Sequence, residues 1–184
     1  MTTQSATQTP RWTFDPAHSS AEFSVKHMVI STVRGRFSKV DVDIDFDEQQ
    51  PERSHLATTI DVASIDTRES KRDDHLRSAD FFDAANFPRI TFESTRVTRT
   101  GDGRYALEGN LTIKGITRPV TLDAELTGFG KDPWGNRRAG FSATTRVNRK
   151  DFGLTWNVAL ETGGLLVGEE VRISIDGELV NAAV

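Results

Sequence analysis

Residues Val40-Asp41-Val42-Asp43-Ile44-Asp45-Phe46-Asp47 alternate apolar and acidic side chains without a slip. That period of two belongs to a β-strand with one face buried and the other in water. The same alternation recurs at Leu56, Thr58, Ile60 and Val62, at Ile90 and Phe92, and at Leu107, Leu111 and Ile113. It returns at Val120, Leu122 and Leu126, at Phe141 and Val147, and at Val171, Ile173 and Ile175. So many one-sided strands need a shared interior, either between two sheets or inside one sheet closed on itself.

The pattern predicts strands over Arg11–Asp15, Ser20–Met28, Val33–Asp47, Leu56–Ile65, Arg89–Thr98, Arg104–Lys114, Thr117–Gly130, Arg138–Arg149 and Glu170–Val180. Gly101-Asp102-Gly103, Lys114-Gly115 and Pro133-Trp134-Gly135-Asn136 supply reversals between antiparallel neighbours, which implies an up-and-down order. Between Phe37 and Val40 the apolar parity switches, the mark of a bulge, and bulges let a sheet bend enough to close. One helix is predicted over residues 70–80, lying across an end of the sheet and planting Phe81 and Phe82 there.

At 184 residues the chain fits a single domain over residues 11–184, preceded by a polar lead-in over residues 1–10 read as disordered. The net charge of -4 is spread over interleaved acidic and basic residues, so no nucleic-acid partner is expected. Cysteine is absent, which removes disulfides, thiolate metal sites and thiol catalysis. With no secretory signal and no long apolar stretch, a cytoplasmic location is expected.

Some residues break the pattern. Parity sends His27 inward beside Ala21, Phe23 and Val25, where it is either a hydrogen-bonded core histidine or a contact to a ligand head group. Arg149 shares the parity of Phe141, Ala143, Thr145 and Val147, and is read first as a strand-end guanidinium paired with a carboxylate, second as a ligand clamp. His18, His27, Asp73, His75 and Glu161 are of acid, base or metal-ligand type, but their spacing matches no catalytic or metal motif. No enzymatic activity, metal or cofactor is expected.

Asp15-Pro16-Ala17-His18-Ser19, Phe23 to Met28, and Ser31, Val33, Gly35 and Phe37 together resemble the opening signature of the YceI-like family. Arg72 to Asp83 with Phe87-Pro88 and Ile90 to Ser94 resembles its helix and following strand; Gly109 to Val120 resembles its central hairpin, and Asn148 to Gly153 its late strand end. The resemblance implies an all-β, lipocalin-like antiparallel barrel of about eight strands holding a long apolar lipid, such as an isoprenoid quinone or polyprenyl phosphate. The tail is then expected against Phe23, Val25, Val42, Ile44, Phe46, Ile60, Ile90, Phe92, Leu111, Ile113, Leu122, Phe141, Leu154 and Trp156. His27, Arg72, His75 and Arg149 are the candidates for the head group, and carriage or storage of the lipid is the expected role.

Phe152, Leu154, Trp156, Leu165-Leu166-Val167 and Trp134 are candidate mouth residues for transient contact with a membrane surface, with a packed loop or a homodimer contact as the other reading. A protein-binding scaffold with a solid core is the alternative function, and an enzyme acting on a lipid-like substrate a more distant one. The scaffold predicts a barrel without a continuous cavity.

Overall fold

The computed structural model describes residues 11–161 and 163–182; the lead-in over residues 1–10 lies outside them. The elements run β1 (Trp12–His27), β2 (Ser31–Phe37), β3 (Val40–Asp45), β4 (His55–Asp61), β5 (Ile65–Asp66), α1 (Ser70–Arg77) and β6 (Arg89–Gly101). They continue with β7 (Arg104–Ile113), β8 (Ile116–Lys131), β9 (Arg137–Asn148) and β10 (Val167–Asn181).

All ten strands belong to one sheet in the order β3-β4-β6-β7-β8-β9-β10-β1-β2-β5. Every pairing is antiparallel, and the last strand returns to the first. Only Ser38 and Lys39 separate β2 from β3, and these halves of one bent strand pair with β1 and β4 respectively. A tight turn over Val62–Ser64 divides β4 from β5 in the same way. Ten strands less these two divisions leave eight staves, so the sheet curls into the lipocalin-like barrel that the family resemblance implies.

The parity switch between Phe37 and Val40 is this bend. Ser64 organises it: the Ser38 amide donates to the Ser64 carbonyl at 3.2 Å and the Lys39 amide to the Ser64 hydroxyl at 3.1 Å. Because the bend redirects the strand from β1 to β4, a seam opens on one side of the barrel. β1 pairs with β2 only over Ala21–His27, and the first half of β1 runs beside β3 with no ladder between them. The far end of the seam is held by side chains, with Arg11 Nη2 donating to Asp43 at 2.8 Å and Trp12 packing edge-to-face on Phe46 at 5.6 Å.

Two of the predicted boundaries that shift have a visible cause. β1 continues through Pro16, where the sequence suggested a break. Its register with β10 slips between Asp15 and Ser20, and Pro16 falls in that bulge, where it takes no place in the ladder. The Ser19 hydroxyl fills the gap, donating to the Asp15 carbonyl at 2.6 Å and accepting from the Glu178 amide at 3.1 Å. The helix stops at Arg77 instead of residue 80, because the Ser78 amide turns back to the His75 carbonyl and Phe81 and Asp83 bond to Ser78. That tight reversal aims Phe81 and Phe82 at the barrel end.

The apolar interior has three parts. Val62, Phe81, Ile90, Leu111, Ile113, Phe152 and Leu154 plug the end beneath α1. Leu107, Leu122 and Ala143 form a middle belt, and Trp12, Ala139 and Leu179 close the opposite end with Phe46 and Phe141 packed against them.

Candidate functional site

Between plug and far end lies a cavity of about 370 Å³. That falls within the size of sites that hold small ligands, and it disagrees with a solid-core scaffold. Its walls show the same thing residue by residue. Phe23, Val25, Val42, Ile44, Phe46, Ile60, Phe92 and Phe141 all face the lumen, yet each is only half-buried. Large apolar side chains pointing into a filled core would lose nearly all their exposure, so the surface they retain is the wall of an unfilled space.

Glycines hold the lumen open. Gly35 stands opposite Phe23 across the β1–β2 ladder, and a Cβ built on it would come 2.4 Å from the Phe23 ring. Gly177 stands opposite Phe141 in the same relation at 2.6 Å, and Gly109 lies against Phe92 at 2.3 Å. Each ring therefore lies flat on a neighbouring strand where a side chain would otherwise push it inward.

All the residues assigned to the tail line the lumen except Trp156. Trp156 follows the barrel strands and packs beside the plug, edge-on to His75 at 4.6 Å and tilted against Phe81 at 5.3 Å. Alternation carries no information in that loop. The sequence also failed to mark Phe14, Leu76, Pro16, Ser20 and Ser38 as lining. Phe14 carried a weak signal in its parity with Trp12; the seam residues carried none, since a missing ladder between β1 and β3 leaves no local trace.

Of the head-group candidates, Arg149 alone is on the lumen wall. It is buried, and it pairs with carbonyls in place of the expected carboxylate: Nε donates to Gly168 at 2.8 Å, Nη1 to Leu154 and to Trp156 at 2.9 Å, and Nη2 to Val167 at 3.4 Å. Four carbonyls so gathered staple the 154–167 loop to the plug. Burial pushes the Arg149 pKa down, with the Glu169 charge pulling the other way.

Arg72 is directed away from the lumen, its Nε donating to the Thr67 hydroxyl at 2.7 Å and its Nη2 to the Thr67 carbonyl at 2.9 Å, while Thr67 donates onward to buried Asp73. His75 bonds Asp80 at 2.9 Å and packs edge-on to Phe81 at 5.0 Å, outside the cavity. His27 also misses the wall, because the β1–β10 register slips between Val25 and His27 and strand alternation ceases to predict facing there.

Where β1 meets β10, Asp15, His18 and Glu178 bring ligand-type atoms within 4.8 Å of one another. A cation already sits among them. Arg138 Nη1 reaches Asp15 at 2.6 Å and Glu178 at 2.9 Å, and its Nε reaches Asp132 at 3.1 Å. Arg138, with help from His18, pulls the Asp15 carboxyl down to about 2. The other mouth candidates divide: Phe152 and Leu154 are buried in the plug, whereas Leu165 and Trp134 are exposed.

Comparison with known proteins returns one family, the YceI-like domain, matched over residues 12–179. A UPF0312 protein of Serratia proteamaculans is 43% identical over 160 residues, 87% of this chain and 81% of that protein. Among solved structures, BcnA of Burkholderia cenocepacia superposes with a TM-score of 0.75 at 27% identity, covering 92% of this chain and 99% of that one. The Campylobacter jejuni YCEI protein does so with a TM-score of 0.73 at 32% identity, covering 86% and 90%. A polyisoprenoid-binding domain from Saccharophagus degradans shares the fold, with a TM-score of 0.63 at 12% identity, covering 95% and 100%.

Proposed function

This chain belongs to the YceI-like family, and we propose that it binds one long apolar lipid-like molecule, an isoprenoid above all, in the barrel lumen. The observation that carries this reading is the cavity of about 370 Å³ walled by half-buried apolar side chains. Such a wall recognises a tail by length and section, at about 25 cal/mol per Å² of apolar surface removed from water, less the cost of ordering the chain. The polyisoprenoid-binding domain of Saccharophagus degradans, with the same fold, supports the ligand class.

The head group belongs at the seam, where Ser20 and Ser38 line the cavity. A neutral head such as a quinone suits this position better than a phosphate. The cations nearby are already matched: Arg11 to Asp43, Arg36 to Asp66, Lys39 to Asp61, and Arg138 to three carboxylates. Arg149 is held by carbonyls.

Native and denaturing mass spectrometry of the purified protein, with analysis of its organic extract, tests the assignment. A bound prenyl compound near one per chain is expected, with quinones above phosphates. A protein that arrives empty and takes up neither quinones, polyprenyl phosphates nor fatty acids would return the weight to a scaffold role.

A further inference from the structure

Among the described residues, five of the eight exposed large hydrophobics gather at one place: Met28, Val29 and Ile30 in the β1–β2 turn, and Val158 and Leu165 in the loop that follows the plug. The two loops are zipped together. The Met28 amide donates to the Leu166 carbonyl at 2.8 Å, and the Leu166 amide to the Val158 carbonyl at 2.9 Å. Val29 is 75% exposed and Ile30 84%, so neither packs on the protein's own interior. Scattered surface hydrophobics are ordinary, but a contiguous cluster is not.

The turn is also strained in a way stability does not explain. His27 pairs with Ser31 across it, and Met28 and Val29 take φ of 51° and 67°. Left-handed backbone is a genuine outlier for a β-branched residue, and hairpin turns place Gly or Asn there. An exposed valine that strains its own turn points to a contact made outside the molecule.

The barrel wall behind this tip is cationic. Ser24 stands opposite Arg34 on β2 and Arg172 on β10, and Arg172 stands opposite Arg146 on β9, giving a row of three arginines across four neighbouring strands. Lys26 lies one outward position nearer the tip. Like charges set opposite each other weaken a sheet, so the row is costly to the isolated barrel. Nearby carboxylates cancel it only in part: Glu170 pairs with Arg146 at 3.6 Å, Glu169 is taken by Lys150 and exposed Glu22 lies one outward position beyond Ser24, while among the described residues Lys26, Arg34 and Arg172 have no ion-pair partner. Glu161 remains as an exposed acid on the adjoining loop.

We infer that this end of the barrel docks on an anionic lipid bilayer, with Met28, Val29, Ile30, Val158 and Leu165 entering the interface while Lys26, Arg34 and Arg172 face the anionic headgroups. Apolar insertion and headgroup attraction are the two contributions that together hold a protein on a membrane surface. A second copy of this chain is a poorer occupant, because a two-fold contact would bring the same arginine row against itself. Of the mouth residues expected from sequence, Leu165 belongs to this surface, whereas Phe152 and Leu154 are buried.

Vesicle flotation tests this with the full chain, using phosphatidylcholine vesicles with and without phosphatidylglycerol. The protein should float with the anionic vesicles only, and rising salt should release it as the charges are screened. Ile30→Asp should cut the vesicle partition constant about tenfold, the loss expected from one buried aliphatic side chain. The double variant Arg34→Glu with Arg172→Glu should abolish the preference for anionic vesicles. Val29→Gly distinguishes docking from folding, since glycine takes the left-handed turn without strain: binding should fall while the melting temperature holds or rises. Equal flotation with both vesicle types, or none with either, overturns the inference. So does a dimer in sedimentation that Ile30→Asp dissolves, which would assign the patch to a second copy. Flotation reads the patch and not the lumen, so docking without a bound lipid, or a bound lipid without docking, separates this inference from the proposed function.

Discussion

Gly35→Ala tests whether the wall glycines hold the lumen open. The new Cβ would stand 2.4 Å and 2.7 Å from two atoms of the Phe23 ring and 2.8 Å from Thr67 Cγ2, with no backbone atom among these near contacts. Restoring ordinary carbon contacts of about 3.5 Å needs the ring to move by roughly 1 Å. Thr67 is buried and bonded to Asp73, so the ring yields toward the cavity it lines. Overpacking of this kind costs about 1–3 kcal/mol, and a chain of this length loses about 2–4 °C of melting temperature per kcal/mol. The intruding ring also displaces one or two methylenes of a bound tail, at about 0.8 kcal/mol each, which weakens binding roughly four- to fifteen-fold. Thermal melting and titration with a long-chain prenyl quinone measure the two effects. Phe23→Leu in the same chain should restore binding and part of the lost stability, because the smaller side chain leaves room for the methyl while the 2.8 Å approach to Thr67 remains. The reasoning fails if Gly35→Ala binds normally, or if Phe23→Leu rescues neither quantity, since the clash would then not act through that ring.

Arg149→Ala should destabilise the barrel by about 3–5 kcal/mol in urea unfolding, because the carbonyls of Gly168, Leu154, Trp156 and Val167 lose a charged donor together. Arg72→Met should cost about 1–2 kcal/mol through Thr67 yet leave the extracted lipid unchanged in class, since Arg72 does not line the lumen. The Asp15 carboxyl, held at about 2 in the folded chain by Arg138 and His18, adds stability that is complete above the ordinary carboxylate value of 3.8 and is lost as pH falls toward 2. Urea midpoints measured from pH 5 to pH 2 should therefore fall less steeply in Arg138→Met than in the unsubstituted protein; equal slopes would show that Asp15 is not the group responsible.

The alternating residues determined the strands and, within them, the inward set. Val42, Ile44, Phe92, Leu111 and Phe141 face the cavity as their parity requires, because the side-chain period of a strand is a local property that every residue reports for itself. The bend at Ser38 was legible too, as a change of parity. Where local regularity ends, legibility ended with it. His27 sits at a register slip, Trp156 in a loop, and Arg72 and His75 beside partners no spacing could identify. Only the tertiary structure decided that the interior is hollow: whether a phenylalanine fills a barrel or lies on its wall depends on Gly35, Gly109 and Gly177 on the adjoining strands. It also decided the seam between β1 and β3, a ladder that does not form. Both are relations between residues distant in the chain, set by how the curled sheet brings its strands together, and side-chain order along one strand does not encode them.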